Sequence, residues 1–348
     1  MTFKTKITII TIIIVITLTI IIRPYYLFVT KTLHVSPIKT LLSLDGLKKY
    51  NDRVNILFLG IAGADHEGPN LSDSIVVVSY DLKGNHLATI SIPRDVWSEA
   101  LQDKINSAYA YGEAKKKGAG FILAKAEVET IIGQPIHYGA AINFDQFEDL
   151  IDFLGGVEVN VENSFVDKEF PISGKENDLC GGGDDQEYKC RYKTVSFTKG
   201  VILMDGQTAL NFVRSRHAEG PEGTDFAREK RQQKTMDAIK NKLIFFVKKP
   251  DLEQYKKFYE LMDRLVKRDI DNQQLTIILK NIVLKKGFKQ EKIVLSEDFF
   301  INPITNLDRY DGLWVLTPVN DDIGLVHKYI DCRLNEKDDC ERLKKKGE

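Results

Sequence analysis

Between Arg214 and Gln233 the chain reads Arg-Ser-Arg-His-Ala-Glu-Gly-Pro-Glu-Gly-Thr-Asp-Phe-Ala-Arg-Glu-Lys-Arg-Gln-Gln. Four arginines, one lysine and two adjacent glutamines surround a loop broken by glycine and proline. The apolar run 209–213 leads into Arg214 and Arg216. If that run is extended, side chains two apart share a face and both guanidinium groups point the same way. Beyond Gly223, Thr224 or Asp225 is suited to cap a helix. On that helix Asp225, Arg228 and Gln232 fall at offsets of 3 and 4 and share a face. Converging guanidinium groups bind multi-oxygen anions through forked hydrogen bonds, so the chemistry indicated is phosphate or pyrophosphate binding. A solvated basic surface with local ion pairs is the alternative. It accounts for any one of these arginines better than for the whole constellation.

Three smaller groups extend the argument. Ser91-Ile92-Pro93-Arg94-Asp95 ends an apolar run in an Arg-Asp pair, where α/β sheets build sites or where a strand simply ends in an ion pair. Lys104 opens the stretch Asp103-Lys104-Ile105-Asn106-Ser107-Ala108-Tyr109, and alone it reads as an exposed helix-start lysine. Asp73 stands just before a β-branched run, where a carboxylate either caps the chain or holds Mg²⁺ beside phosphates. The chain has no Gly-x-Ser-x-Gly elbow, no Walker A loop and no His-Glu-x-x-His. Its six histidines are scattered, and His217 in the arginine loop reads as a bystander.

The elements that must position these groups follow from the rest of the chain. Its 348 residues suffice for one large domain or two small ones. Charged residues make up 28% and the net charge is −1, which argues against a nucleic-acid protein relying on a broad basic field. Ile7 to Ile22 is an unbroken apolar and threonine run, preceded by Lys4 and Lys6 and extended past Arg23-Pro24 by Tyr25-Tyr26-Leu27-Phe28-Val29. With that aromatic extension it reaches the ~20 residues a spanning helix needs. A cleavable signal peptide is the rival, but no Ala-x-Ala-like site follows. The expected organisation is a cytoplasmic tip 1–6, a single-pass cell-membrane anchor 7–29, a linker 30–50, an extracytoplasmic catalytic domain 51–335 and a charged tail 336–348. Four cysteines form two close pairs, Cys180/Cys190 and Cys332/Cys340. In an exported chain these read as disulfides, since the Cys-x-x-Cys hooks of zinc sites are missing.

Periodicity predicts strands at 54–60, 74–80 and 86–92, with a hairpin turn at 81–85. A short helix is suggested within 38–50, and helices within 104–131. Strand 138–142, helix 144–154 and strand 157–161 follow, and 163–199 reads as an irregular excursion. Helix 205–211, a long helix 225–247, two or three helices in 251–285 and strands 292–295 and 312–316 complete the pattern. The expected fold class is α/β, a central mixed β-sheet sandwiched by helices, preceded by one N-terminal transmembrane helix.

Several pieces, taken in order, resemble the LytR-CpsA-Psr family of membrane-anchored cell-wall glycopolymer ligases. They are the short anchor, Asn55-Ile56-Leu57-Phe58-Leu59-Gly60, Asp73-Ser74 before a strand, Ser91-Ile92-Pro93-Arg94-Asp95, Lys104-Ile105-Asn106-Ser107-Ala108-Tyr109, Leu154-Gly155-Gly156-Val157-Glu158-Val159, and Leu203-Met204-Asp205-Gly206-Gln207-Thr208-Ala209-Leu210 running into the arginine loop. The resemblance spans roughly 54–245, with a weaker echo near Trp314. It implies a phosphotransferase that moves a glycopolymer from a polyprenyl diphosphate carrier to a cell-wall, peptidoglycan hydroxyl. By that carry-over Arg94, Lys104, Arg214 and Arg216 grip the diphosphate, with Arg228 and Gln232 behind them. Asp73 holds Mg²⁺, and Asp225 orients arginines or assists proton removal. The lipid tail needs a long apolar pocket between sheet and helices. Two positions depart from the family pattern. Leu71 stands where many relatives have arginine, and the loop 60–69 leaves Asp65 as the candidate for a second metal-side carboxylate. The expected partners are the lipid-linked glycopolymer, a peptidoglycan acceptor and membrane lipid, without nucleic acid. The competing readings are a hydrolase of the same diphosphate and a non-catalytic envelope receptor or regulator.

Overall fold

The computed structural model describes residues 3–42, 46–61, 70–172, 174–175, 177–181, 188–248, 251–285, 289–303, 307–337 and 339–344. The N-terminal helix α1 (Phe3–Leu27) runs on into a π-helical turn, Phe28–Thr32. Arg23-Pro24 does not break it. Proline removes one intrahelical donor, and four residues later the ladder widens, with Leu33 N donating to Phe28 O at 3.0 Å. Its threonines return their hydroxyls to carbonyls four residues back, as Thr11 does to Ile7 O at 3.0 Å and Thr17 to Ile13 O at 2.8 Å. The run therefore stays apolar outward. A short α2 (Pro37–Leu42) replaces the longer helix suggested for the linker.

Three strands open the domain: β1 (Arg53–Ile61), β2 (Ser72–Asp81) and β3 (His86–Ile92). Asp81 Oδ1 folds the β2–β3 turn by accepting from Lys83 N at 2.8 Å and Gly84 N at 2.7 Å. The small pair β4 (Trp97–Ser98) and β5 (Asp103–Lys104) precedes α3 (Ala108–Lys115) and α4 (Gly120–Ile132). Then come β6 (Tyr138–Asn143), α5 (Phe144–Phe153) and β7 (Val157–Val161). The stretch 163–199 is more regular than its composition suggests, for it holds the hairpin of β8 (Phe165–Pro171) and β9 (Tyr192–Phe197). Next follow β10 (Gly200–Met204), α6 (Gly206–Arg214), α7 (Asp225–Lys248) and α8 (Leu252–Leu265). The chain ends with β11 (Lys267–Arg268), α9 (Asn272–Leu284), β12 (Lys289–Val294) and α10 (Ile323–Leu334). The segment 312–316, expected as a strand, is not one. The chain turns at Asp311 and Gly312 with positive φ; of the segment only Leu316 pairs, as a single bridge to Val96, and the two-residue strand Thr317–Pro318 follows against Phe300–Ile301.

The main sheet has the order β11-β6-β1-β2-β3-β12 and is mixed. Strands β1, β2 and β3 are antiparallel neighbours, while β6 runs parallel to β1 and β12 parallel to β3. On one face Leu57, Val77, Ile90 and Ile293 pack with Phe121, Val128, Ile132 and Ile330 of α4 and α10. On the other face Val54, Ile56, Tyr80 and Tyr138 pack against Ile277 and Ile278 of α9. A separate core joins Ile151, Val157, Phe165, Met204, Phe212, Ile239 and Leu265 from α5 to α8 and β7 to β10. A buried polar chain ties β12 and α10 to the sheet. Arg53 Nη2 lies 3.1 Å from His86 Nδ1, and His86 Nε2 lies 2.7 Å from Glu291, which also pairs with Arg333. Guanidinium only donates, so His86 Nδ1 accepts and its proton sits on Nε2, facing Glu291.

Candidate anion site at the strand ends and the arginine loop

The C-terminal ends of β1, β3, β6 and β12 share one edge of the sheet. Pro93 follows β3 there, and Arg94 and Asp95 leave the ladder. Their backbone is held on both sides: Asn106 N donates to Arg94 O at 3.2 Å and Leu316 N to Asp95 O at 2.9 Å. Arg94 Nη1 pairs with Asp73 Oδ1 at the start of β2, and Arg94 Nε lies 3.5 Å from Asp95 Oδ2. Lys104 Nζ donates to Asp95 Oδ1 at 2.8 Å. The four side chains thus form one line of alternating charge, Asp73–Arg94–Asp95–Lys104. Burial works against the Arg94 charge, but Asp73 and Asp95 more than offset it and hold its pKa above the ordinary value. Sequence reasoning gave Asp95 no separate role. Here it is the joint between the two cations.

Beside these strand ends the second sheet face is open. The registers place Ala140, Phe58, Val76, Ser91 and Val294 in one row across five strands. Phe58 is 44% and Val294 43% exposed, although both sit in hydrophobic strand positions. Tyr138, Ile56, Val78, Thr89 and Lys292 form the next row inward, and α9 covers the Tyr138–Ile56 end of it.

The arginine loop is built differently from its first reading. The run 209–213 is helical, part of α6, so Arg214 closes the last helical turn and Arg216 follows the cap; the two do not share a strand face. Asp205 caps α6 by accepting from Thr208 N at 2.8 Å. Glycine is required next, since a Cβ on Gly206 would lie 2.4 Å from Glu148 O. Arg214 is half-buried, with its guanidinium 5.8 Å from the Phe170 ring centroid, while Arg216 is exposed. Thr224 is the cap of α7, its Oγ1 accepting from Ala227 N at 3.2 Å. Asp225 is the first residue of α7, and its side chain lies outside the described residues, as does Asp65 entirely. Arg228 is half-buried one turn along, and exposed Gln232 reaches Val213 O at 3.5 Å.

Two residues that the sequence left unassigned hold this loop. Asp167, at the bulge of β8, is fully buried. Its Oδ2 accepts from Ser215 Oγ at 2.6 Å and from Arg216 N and His217 N at 3.1 Å each, and its Oδ1 accepts from Glu169 N at 3.1 Å. Burial works against its charge, yet the donors from Ser215, His217, Glu169 and Arg216 prevail and its pKa lies below the ordinary 3.8. Arg231, 3% exposed, grips the other side of the loop. It donates to Phe212 O at 3.0 Å, Ser215 O at 2.6 Å, Glu222 O at 2.8 Å and Glu222 Oε2 at 3.0 Å. Burial draws its pKa down and Glu222 opposes that. One signal for Arg231 was present: it continues the buried line Thr235 and Ile239 at helical spacing. Asp167 carried none.

Contacts therefore gather the named residues into two groups. Asp73, Arg94 and Lys104 sit with Asp95 at the edge of the main sheet, and Arg214, Arg216, Arg228 and Gln232 sit around α6 and α7. The expected disulfides are formed, Cys180–Cys190 on the β8–β9 arm and Cys332–Cys340 between α10 and the turn Cys340–Leu343. Asp73, partly exposed and bound through one oxygen to Arg94, fits a cation whose other ligands are water and phosphate oxygens.

The fold and site define an α/β domain with a line of alternating charge at its strand ends, carried behind an apolar helix that fits a single-pass membrane anchor. The model of the LytR_cpsA_psr family matches residues 30–318, and the chain belongs to that family. It is similar to a Bacillus cereus protein named polyisoprenyl-teichoic acid--peptidoglycan teichoic acid transferase TagU, 32% identical over 268 residues, which cover 76% of this chain and 73% of that one. A Bacillus mycoides protein of the same name is 32% identical over 237 residues, covering 66% of this chain and 65% of its own length, just under two thirds. A structure described as a transcriptional regulator from Enterococcus faecalis shares the fold at 24% identity and a TM-score of 0.53, covering 84% of this chain and 91% of that one. TagV of Bacillus subtilis shares it at 23% identity and a TM-score of 0.51, covering 82% of this chain and 99% of that one.

Proposed function

We propose that this protein is a membrane-anchored cell-wall glycopolymer transferase, moving a glycopolymer from a polyprenyl diphosphate to a peptidoglycan hydroxyl outside the membrane. The observation that carries this reading is the charge line Asp73–Arg94–Asp95–Lys104 at the strand ends, with Arg94 three residues past Ser91 of a row whose Phe58 and Val294 are exposed. An apolar strip ending in fixed cations suits a ligand with a long hydrocarbon tail and an anionic head. Arg94 and Lys104 bind the diphosphate from the sheet side, and Arg214, Arg216, Arg228 and Gln232 from the loop side. The acceptor hydroxyl oxygen attacks the sugar-linked phosphorus. The bond from that phosphorus to the bridging oxygen breaks, and polyprenyl monophosphate leaves. The hydroxyl proton passes to a carboxylate, for which Asp225 is the candidate. Such transfers rest mainly on positioning and on offsetting oxygen charge, which arginines supply without a protein nucleophile. Asp73 would hold Mg²⁺, which when bound neutralises charge on the diphosphate oxygens.

The test is transfer from a lipid-linked glycopolymer to peptidoglycan by Arg94→Ala and Arg214→Ala. Both lose transfer while the fluorescence of Trp97 and the helical content stay unchanged. A folded Arg214→Ala protein with full transfer removes that residue from the site. Release of free polymer, equal with and without peptidoglycan, assigns hydrolysis instead.

A further inference from the structure

Helix α2 presents Ile38, Leu41 and Leu42, 70%, 74% and 78% exposed, on one face at helical spacing. In an ordinary linker such residues would turn inward. Here they cannot, because the opposite side of the segment is pinned to α9. Ser36 N donates to Gln273 Oε1 at 2.7 Å, and Gln273 Nε2 donates to Thr40 Oγ1 at 2.8 Å. Lys280 Nζ donates to Thr40 O at 2.6 Å, and Asn272 Nδ2 to Leu33 O at 2.9 Å. Val35 is buried at 2% exposure within this seam. The segment is therefore a rigid strap with an apolar outer face.

Its distance from α1 says what covers that face. A hydrocarbon core of about 30 Å takes ~20 helical residues. Counted from Ile7, the chain leaves that core near Tyr26, with Tyr25 and Tyr26 at the interface where such rings concentrate. Phe28, next along, already meets Tyr259 of α8, with ring centroids 6.3 Å apart. The domain thus abuts the end of the membrane helix, and only residues 33–36 separate the π turn ending at Thr32 from the start of α2 at Pro37. Exposed Lys31 and Lys39 flank the apolar face, as suits anionic headgroups.

We propose that α2 lies in the headgroup region of the leaflet on the domain's side, with Ile38, Leu41 and Leu42 among the upper acyl chains. α1 and α2 then form two separate contacts with one bilayer. Two contacts through a rigid strap fix the height and tilt of the domain, where a single helix would let it swivel. The proposal rests on the reading of α1 as a spanning anchor.

The experiment uses the full chain in nanodiscs of phosphatidylglycerol and phosphatidylethanolamine. Leu41→Cys and, separately, Ile14→Cys carry a polarity-sensitive fluorophore, and quenching by lipids spin-labelled at shallow or deep positions is compared. Leu41 should be quenched about twofold more by the shallow than by the deep label, as an interfacial helix requires. Ile14 should show the reverse. Quenched Ile14 with solvent-like, unquenched Leu41 overturns the α2 contact and leaves the anchor standing. Unquenched Ile14 overturns the anchor and the α2 contact with it. Ile38→Ser/Leu41→Ser/Leu42→Ser, which alters only exposed side chains, should retain the fold and shift a label at Lys39→Cys to solvent-like emission. Unchanged Lys39→Cys emission in that variant also counts against the contact.

Discussion

Replacing Asp167 by asparagine should loosen the arginine loop without touching an arginine. The carboxylate accepts four hydrogen bonds, three of them on Oδ2. Asparagine can place its one carbonyl oxygen where Oδ2 was and keep Ser215, Arg216 and His217. Its NH₂ group then faces Glu169 N, donor to donor. The three retained bonds change from charged to neutral acceptors, each weaker by about 1 kcal/mol. The neutral side chain spares some burial cost, so the net loss of stability should be about 2 kcal/mol at neutral pH. The sign of the pH dependence follows from the lowered pKa. Ionised Asp167 stabilises the fold above the unfolded value near 3.8, and that contribution fades as pH falls through the lower folded value. The two proteins should therefore converge in stability below pH 3.8. Urea unfolding of the detergent-solubilised full chain, followed through buried Trp97, measures this. Because the bonds that hold Ser215, Arg216 and His217 weaken and the one from Glu169 N is lost, transfer should also fall roughly 10- to 100-fold. An asparagine variant with the parent's unfolding midpoint and full transfer would refute the idea that Asp167 positions the loop.

Arg231→Met should be more damaging, by about 3–5 kcal/mol, since Glu222 and the carbonyls of Phe212 and Ser215 lose a buried cation; thermal unfolding tests it, and a midpoint like the parent's contradicts it. Asp95→Asn should cost less than about 1 kcal/mol because its partners are partly exposed. It should nevertheless slow transfer about tenfold or more by freeing Arg94 and Lys104, so unaltered turnover argues against Asp95 as their joint. Removing the Cys180–Cys190 bridge by double serine substitution should destabilise the protein by up to about 2.7 kcal/mol, from a sequence separation of 10. A melting temperature unaffected by that change would show that the arm is ordered without its bridge.

Much of the fold could be read ahead of the structure because the strands carry period-two patterns and clear stops. His86–Ile92 and Val157–Val161 lie where alternation puts them. Residues 209–213 were harder. A five-residue apolar run fits a strand or a buried helix turn equally well, and packing of α6 on α5 decides it. The β8–β9 hairpin was hidden because glycines, charges and cysteines crowd the loop between its strands. At the site, Arg94 and Arg214 announced themselves by type and spacing. Asp167 did not, since its role depends on a bridge to Ala218, 51 positions later.

The order of the sheet bears on how the protein is made. Its middle strands, β6, β1, β2 and β3, come from residues 53–143 and leave the ribosome early. The strands at its two rims come late, β11 at 267–268 beside β6 and β12 at 289–294 beside β3. Until nearly 300 residues have been synthesised, β3 presents an unpaired ladder that carries Ile90 and Ile92. Pairing over so long a stretch of chain is slow. On the proposed topology the half-built sheet is tethered at the membrane through α1 while it waits for β12, and a chain truncated before Lys289 should be an aggregation-prone fragment.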